Sequence, residues 1–143
     1  MTTTINKPQP TPTSISQRFW EAAREKVLVV QHCSNCDHHI FYPRNLCPYC
    51  WSDSLNWVTA SGAAGLAAFT VIHKPGHPAF VEDTPYVVAL VDLAEGPRML
   101  TNVHAPSEQI RVGMALRLDW EDRGDFILPI FRMTNENPGG SPA

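Results

Sequence analysis

All four cysteines of this chain lie in one stretch, CSNCDHHIFYPRNLCPYC, and none lies elsewhere. They form two C-x2-C pairs, Cys33 with Cys36 and Cys47 with Cys50, separated by ten residues. A C-x2-C turn presents two thiolates on one side of a tight loop. Two such turns facing each other enclose a tetrahedral sulfur site, which zinc accepts at about 2.3 Å per bond. Ten residues is shorter than the roughly 15–20 of the common two-pair pattern, yet enough for a strand, a turn and a return. Pro48 follows Cys47 and restricts the second turn. The same cage takes iron in redox proteins, so the spacing alone leaves iron as the alternative metal. Four thiolates fill a tetrahedron and leave no position at which water could be activated. The expected role is therefore structural, a staple for a segment too short to own an apolar core. His38 and His39, between the pairs, are read as exposed loop residues.

Composition narrows the setting. At 143 residues with 43% hydrophobic content, the chain suits one compact domain, or a small module joined to a modest one. No apolar run approaches the ~20 residues of a membrane span. The start, MTTTINKPQPTPTS, lacks the basic and apolar stretches of a secretory signal. A cytoplasmic protein without membrane attachment is expected, where thiols stay reduced and clustered cysteines bind metal. The formal net charge of −3 weighs against a protein that wraps nucleic acid, whose affinity comes largely from phosphate neutralisation.

Along the chain, residues 1–13 and 134–143 are rich in Pro, Thr, Asn and Gly and are expected to be disordered tails. A helix is expected over residues 16–26, with Phe19, Ala22, Ala23 and Val27 on one face and Ser14 with Gln17 in position for a capping box. Residues 27–32 and 40–42 read as short strands flanking the first cysteine pair. Beyond residue 55 the pattern is strand after strand: 55–59 with 65–73 as one bent strand, then 86–93, 99–104, 115–120 and 127–132. Gly62 and Gly65 mark the bend. Five strands in this span suit a small closed barrel of the OB type better than a sandwich, which wants about seven. The fold expected is mainly β: helix and zinc ribbon over 14–54, a five-stranded OB barrel over 55–133.

Taken in order, RFWEAAREKVLVVQHC, YPRNLCPYC, LNWVTASG, FTVIHKP, PYVVALVDLAEGPRML, RVGMALRL and LPIFR resemble the family known as domain of unknown function 35. That family has a rubredoxin-like zinc ribbon followed by an OB-fold, and the resemblance covers residues 16–132. It implies a non-catalytic accessory subunit of acyl-CoA metabolism, in a hetero-oligomer with a thiolase-like acyltransferase or aldolase, or with a hydratase. It also implies structural zinc on Cys33, Cys36, Cys47 and Cys50, and contact with the CoA portion of a substrate. Where the family often has a glycine after each cysteine pair, this chain has Asp37 and Trp51. Aspartate tolerates a left-handed backbone; tryptophan does so poorly. Trp51 is therefore expected to avoid positive φ and to cover the metal or a partner.

No catalytic constellation stands out. Ser61 is not in a nucleophile elbow. His73 and His77 are four apart, but Pro75 and Gly76 between them preclude a helix that would align them. Asp92, Glu95, Glu82 and Asp83 have no spacing that pairs an acid with a base. His73 and Lys74 are the candidates for a polar wall near bound acyl-CoA, with Lys74 toward phosphate. The helix and the ribbon aromatics (Phe41, Tyr42, Tyr49, Trp51, Trp57) are the candidates for partner contact. The rival reading is a nucleic-acid-binding zinc-ribbon and OB module, since both folds serve there.

Overall fold

The computed structural model describes residues 7–134. The expected tails over 1–6 and 135–143 lie outside the described residues. Within the described part, the chain engages the fold earlier than residue 14. Lys7 Nζ stands 2.6 Å from Asp83 Oδ2, and Gln9 Nε2 donates to the Arg123 carbonyl at 2.9 Å.

Helix α1 spans Gln17–Arg24. It forms because Phe19, Ala22 and Ala23 share a face that the interior covers, while Gln17, Arg18, Glu21 and Arg24 face outward. The capping box expected from Ser14 and Gln17 does not form. Ser16 occupies the N-cap, and its buried Oγ accepts from the Thr13 backbone N–H at 2.9 Å rather than from the helix. Gln17 instead donates to Glu21 Oε2 one turn on, at 3.0 Å. The helix ends where Lys26 turns to φ +60° and Val27 N–H reaches back to the Ala22 carbonyl.

Eight strands follow. β1 (Val29–Cys33), β2 (His39–Ile40) and β3 (Leu55–Thr59) make an antiparallel sheet in the order β2-β1-β3. β3 was expected as the first half of a bent barrel strand. It pairs with β1 along its whole length instead, from Cys33↔Leu55 to Val29↔Thr59. The reason is local. The strand entering the first cysteine turn and the strand leaving the second are held side by side at Cys33 and Leu55, and that register propagates down both. Ala60 N–H extends the pairing to the Leu28 carbonyl. Gly62, at φ +93°, then redirects the chain; a Cβ there would meet Leu118 Cβ at 3.2 Å.

The barrel comprises β4 (Ala63–Ile72), β5 (Tyr86–Leu93), β6 (Arg98–His104), β7 (Ala115–Asp122) and β8 (Ile127–Met133). They close in the order β4-β5-β6-β8-β7, with β4 returning to pair with β7. The expected five-stranded closed barrel is thus present, its first strand bulged between Leu66 and Ala68. β5 alternates strictly, burying Val87, Ala89, Val91 and Leu93. Phe131 and Leu116 from β8 and β7 meet them inside. Phe19 of α1, with Leu28 and Val30 at the root of the ribbon, joins the same core. The root of the ribbon is therefore part of the barrel's hydrophobic unit, and the tip is not.

Candidate metal centre

The tip is built from two copies of one backbone turn. In the first, Cys33 N–H donates to the His38 carbonyl (2.9 Å) and Asp37 N–H returns to the Cys33 carbonyl (2.7 Å). In the second, Cys47 N–H donates to the Ser52 carbonyl (2.8 Å) and Trp51 N–H returns to the Cys47 carbonyl (2.9 Å). Each turn closes through a left-handed residue, Asp37 at φ +67° and Trp51 at φ +66°. The expectation that Trp51 avoids positive φ is overturned. Closing the turn requires the left-handed residue whatever side chain occupies it, and the strain stays in the backbone. Trp51 does not fold over the cysteines; it is 75% exposed.

The four Sγ atoms converge within 4.8 Å of one another. Cys33 Sγ lies 3.6 Å from Cys50 Sγ, and Cys36 Sγ 3.5 Å from Cys47 Sγ. Sulfurs bound to one zinc at about 2.3 Å sit roughly 3.8 Å apart around a tetrahedron, so the cage matches the ion. None of the four is in a disulfide. The cage is also supplied with donors: Asn35 Nδ2 at 3.3 Å from Cys50 Sγ and Tyr49 N–H at 3.4 Å from Cys47 Sγ. His38 Nδ1 lies 3.2 Å from Cys36 Sγ, with its ring stacked on Tyr49 at 4.0 Å between centroids. His38 is thus exposed as expected, but it is also a neighbour of the sulfurs, which its position in the sequence did not reveal; His39, expected in the same exposed loop, is instead a half-buried residue of β2 paired with His32. Cys36 and Cys50 differ in acidity. Burial pushes Cys36 up to about 12, whereas the Asn35 amide, and after it the Ser52 backbone, holds Cys50 down to about 6. Loading the cage at neutral pH therefore displaces protons. Four thiolates would leave a bound ion no open position, so the chemistry it would supply there is a cross-link.

The remaining candidates do not assemble into a site. His73 and Lys74 are exposed beyond the end of β4. His77 Nδ1 accepts from Ala79 N–H at 3.0 Å and caps a 3-10 turn over Pro78–Asp83. Ser61 Oγ accepts from Ala63 N–H, which fits a turn and not a nucleophile. Asp92 is held well below the usual carboxylate range by Arg98, which forks onto it through Nε and Nη2. One grouping was missed in the sequence because its members are far apart there. His104 and Arg123 flank Glu121, at 3.5 and 2.8 Å, on a cavity of about 480 Å³. Glu121 is already committed to Arg123, so the grouping reads as an ion-pair network.

Residues 20–56 match the family described as the ChsH2 rubredoxin-like zinc ribbon domain, and residues 57–121 match the ChsH2 C-terminal OB-fold domain. The chain belongs to the ChsH2, or DUF35, family. It is 43% identical over 117 residues to a probable enoyl-CoA hydratase alpha subunit of Thermomonospora curvata, a match covering 80% of this chain and 36% of that protein. The chain thus spans about a third of that relative. A DUF35 domain-containing scaffold protein of Pyrococcus furiosus is 33% identical, with 71% of this chain and 74% of the relative covered. Among solved structures, the Ltp2-ChsH2(DUF35) aldolase contains a chain that this one matches with a TM-score of 0.79 and 37% identity, over 87% of this chain and 98% of that one. For a ChsH2-family chain, the division at residues 56 and 57 falls inside β3, a strand that pairs with β1 of the ribbon and leads on through Gly62 into the barrel.

Proposed function

We propose that this chain is a non-catalytic accessory subunit of an acyl-CoA-processing enzyme complex, with Cys33, Cys36, Cys47 and Cys50 holding one structural zinc in a reducing, cytoplasmic setting. The observation that carries the reading is the near-complete overlap with one chain of an aldolase assembly, reinforced by the 43% identity to a hydratase alpha subunit. The partner is then an aldolase or hydratase subunit, and a thiolase-like enzyme making or breaking carbon–carbon bonds is our preferred member of that set. The absence of an acid–base or nucleophile set among the described residues supports a supporting role over independent turnover.

The surface offered to the partner follows from burial. The apolar face of α1 is turned into the core, so its exposed residues are polar (Gln17, Arg18, Glu21 and Arg24), with Trp20 half-buried at the edge. The ribbon keeps Tyr42, Tyr49 and Trp51 exposed, at 46, 60 and 75%. Exposed aromatics of this kind anchor protein interfaces, and the ribbon tip is the proposed contact. Affinity purification of the full chain at mild salt from its own cell, with mass spectrometry of what co-elutes stoichiometrically, tests both points. An aldolase, hydratase or thiolase-like subunit, lost when Tyr49 and Trp51 are both changed to Ser, is the expected result. Recovery of nucleic acid with its processing proteins, or of no stoichiometric subunit, overturns the reading.

A further inference from the structure

The barrel has a weak seam. β6 and β8 pair only at Val103↔Phe131 and His104↔Arg132, so no ladder joins the first half of β6 to β8. Thr101 Oγ1 bridges the seam by donating to the Pro129 carbonyl at 3.0 Å. A groove of about 560 Å³ lies over it. Phe19 and Trp20 of α1, Phe41 and Tyr42 of the ribbon, and Leu100 and Leu128 of the barrel line the groove. Leu100 is 66% exposed there, although it lies in the middle of a strand.

The charges on this groove have one sign. Only Arg44 and Arg98 contribute charge to its lining. Arg98 is occupied by Asp92 through two hydrogen bonds. Arg44 has no ion-pair partner among the described residues, and its backbone is fixed. Its N–H donates to Gln31 Oε1 at 2.7 Å, and its carbonyl accepts from Gln31 Nε2 at 2.9 Å. Gln31 is itself buried, at 5% exposure. A buried amide thus pins the chain so that an uncommitted guanidinium stands beside an apolar, aromatic trough. The volume falls within the roughly 300–1,000 Å³ of small-molecule sites, and a guanidinium without a counter-acid complements a carboxylate.

We propose that the groove between helix, ribbon and barrel seam binds a small amphipathic carboxylate, its apolar body against Trp20, Phe41 and Leu100 and its anionic end on Arg44. The inference stands apart from the accessory-subunit reading, because it rests on this chain alone.

The test is titration of the full, zinc-loaded chain with decanoate below its aggregation threshold, followed by amide chemical shifts, with decanol and decyltrimethylammonium as controls. Saturable decanoate binding is expected, with shifts concentrated at residues 19–20, 41–44 and 98–102. Arg44→Ala is expected to raise Kd about tenfold, the weight of one charge-assisted contact, and Leu100→Glu to abolish binding. Both side chains are exposed, so neither variant is expected to lose its fold. Equal binding of the cationic amphiphile, insensitivity to Arg44→Ala, or shifts centred elsewhere on the barrel would overturn the proposal. So would non-saturable decanoate together with protection of the same residues by a co-purified enzyme subunit, which would make the groove a protein contact.

Discussion

The barrel and the ribbon tip solve the same problem with different materials. The barrel encloses Leu66, Val87, Val91, Leu116 and Phe131, with Phe19, Leu28 and Val30 contributed from outside it, in one apolar cluster. At the tip, the corresponding cluster of buried residues is Cys33, Cys47 and Ile40, with Cys36, Cys50 and Leu55 against it. Four of those six residues are cysteines, so very little hydrocarbon is there to be removed from water. The hydrophobic effect scales with apolar area, at about 25 cal/mol per Å²; it can hold the barrel and cannot hold the tip. If the four cysteines hold zinc as proposed, the difference also locates the boundary of metal dependence. It falls within β1, between Val30, which belongs to the large core, and Cys33, which belongs to the cage.

The tip should come apart while the barrel stays folded. Removing zinc with a strong chelator, or replacing Cys33 and Cys36 together by Ser, should unfold residues 33–54 while β5 and β6 stay protected. Structural zinc contributes an apparent ~10–16 kcal/mol in zinc-finger peptides near neutral pH, far more than the tip's few apolar contacts supply. Hydrogen exchange resolved by residue is the measurement. Exchange that accelerates evenly through tip and barrel would show that the two form one cooperative unit. A stoichiometric metal retained in the double variant would remove the cysteine assignment.

The converse break is Phe131→Ala. Phe131 is fully buried at the centre of the large cluster, and deleting such a ring costs about 3–5 kcal/mol, lost contacts and cavity together. Denaturant unfolding followed by far-UV signal should show that loss. Bound zinc, measured by elemental analysis in native buffer, should stay at one per chain, because no residue of the cage packs on Phe131. Loss of metal in step with barrel stability would erase the division between the two regions.

The same division governs what the sequence could reveal. The cage was legible because its constraint is local: thiolates at C-x2-C spacing have few uses, and no distant residue is needed to recognise them. β5 was legible for a similar reason, since alternation from Tyr86 to Leu93 carries its own period. The allegiance of Leu55–Thr59 was not. A strand's pattern says that it has an inner and an outer side, but not which strand lies beside it; that was decided by the knuckle register at Cys33 and Leu55. Lys7 and Gln9 were illegible as part of the fold because their contacts, with Asp83 and with the Arg123 carbonyl, are polar and distant in the chain. The Trp51 backbone, at φ +66°, runs against residue preference because the turn has no alternative conformation that would close it.

At Trp51 the tip carries a strain that the barrel core does not. Its left-handed backbone costs roughly 1–2 kcal/mol relative to glycine, and its ring, three-quarters exposed, returns little of that through burial. Glycine would relieve the strain but give the unfolded chain more freedom, an opposing effect of about 0.5–1 kcal/mol. Trp51→Gly should therefore stabilise the metal-loaded tip by a net of about 0.5–1 kcal/mol, read as slower exchange of the Cys47 and Trp51 amides. Asp37→Gly should gain less. Aspartate adopts this conformation more easily, and Asp37 also accepts from His32 Nε2 at 2.7 Å in the protein as it stands. If the ribbon tip is the partner contact, the same Trp51→Gly change should release the co-purifying subunit, so that stability and association move in opposite directions. A variant that is less stable and still holds its partner would mean that the ring packs usefully on its own ribbon, and that the strained residue is structural.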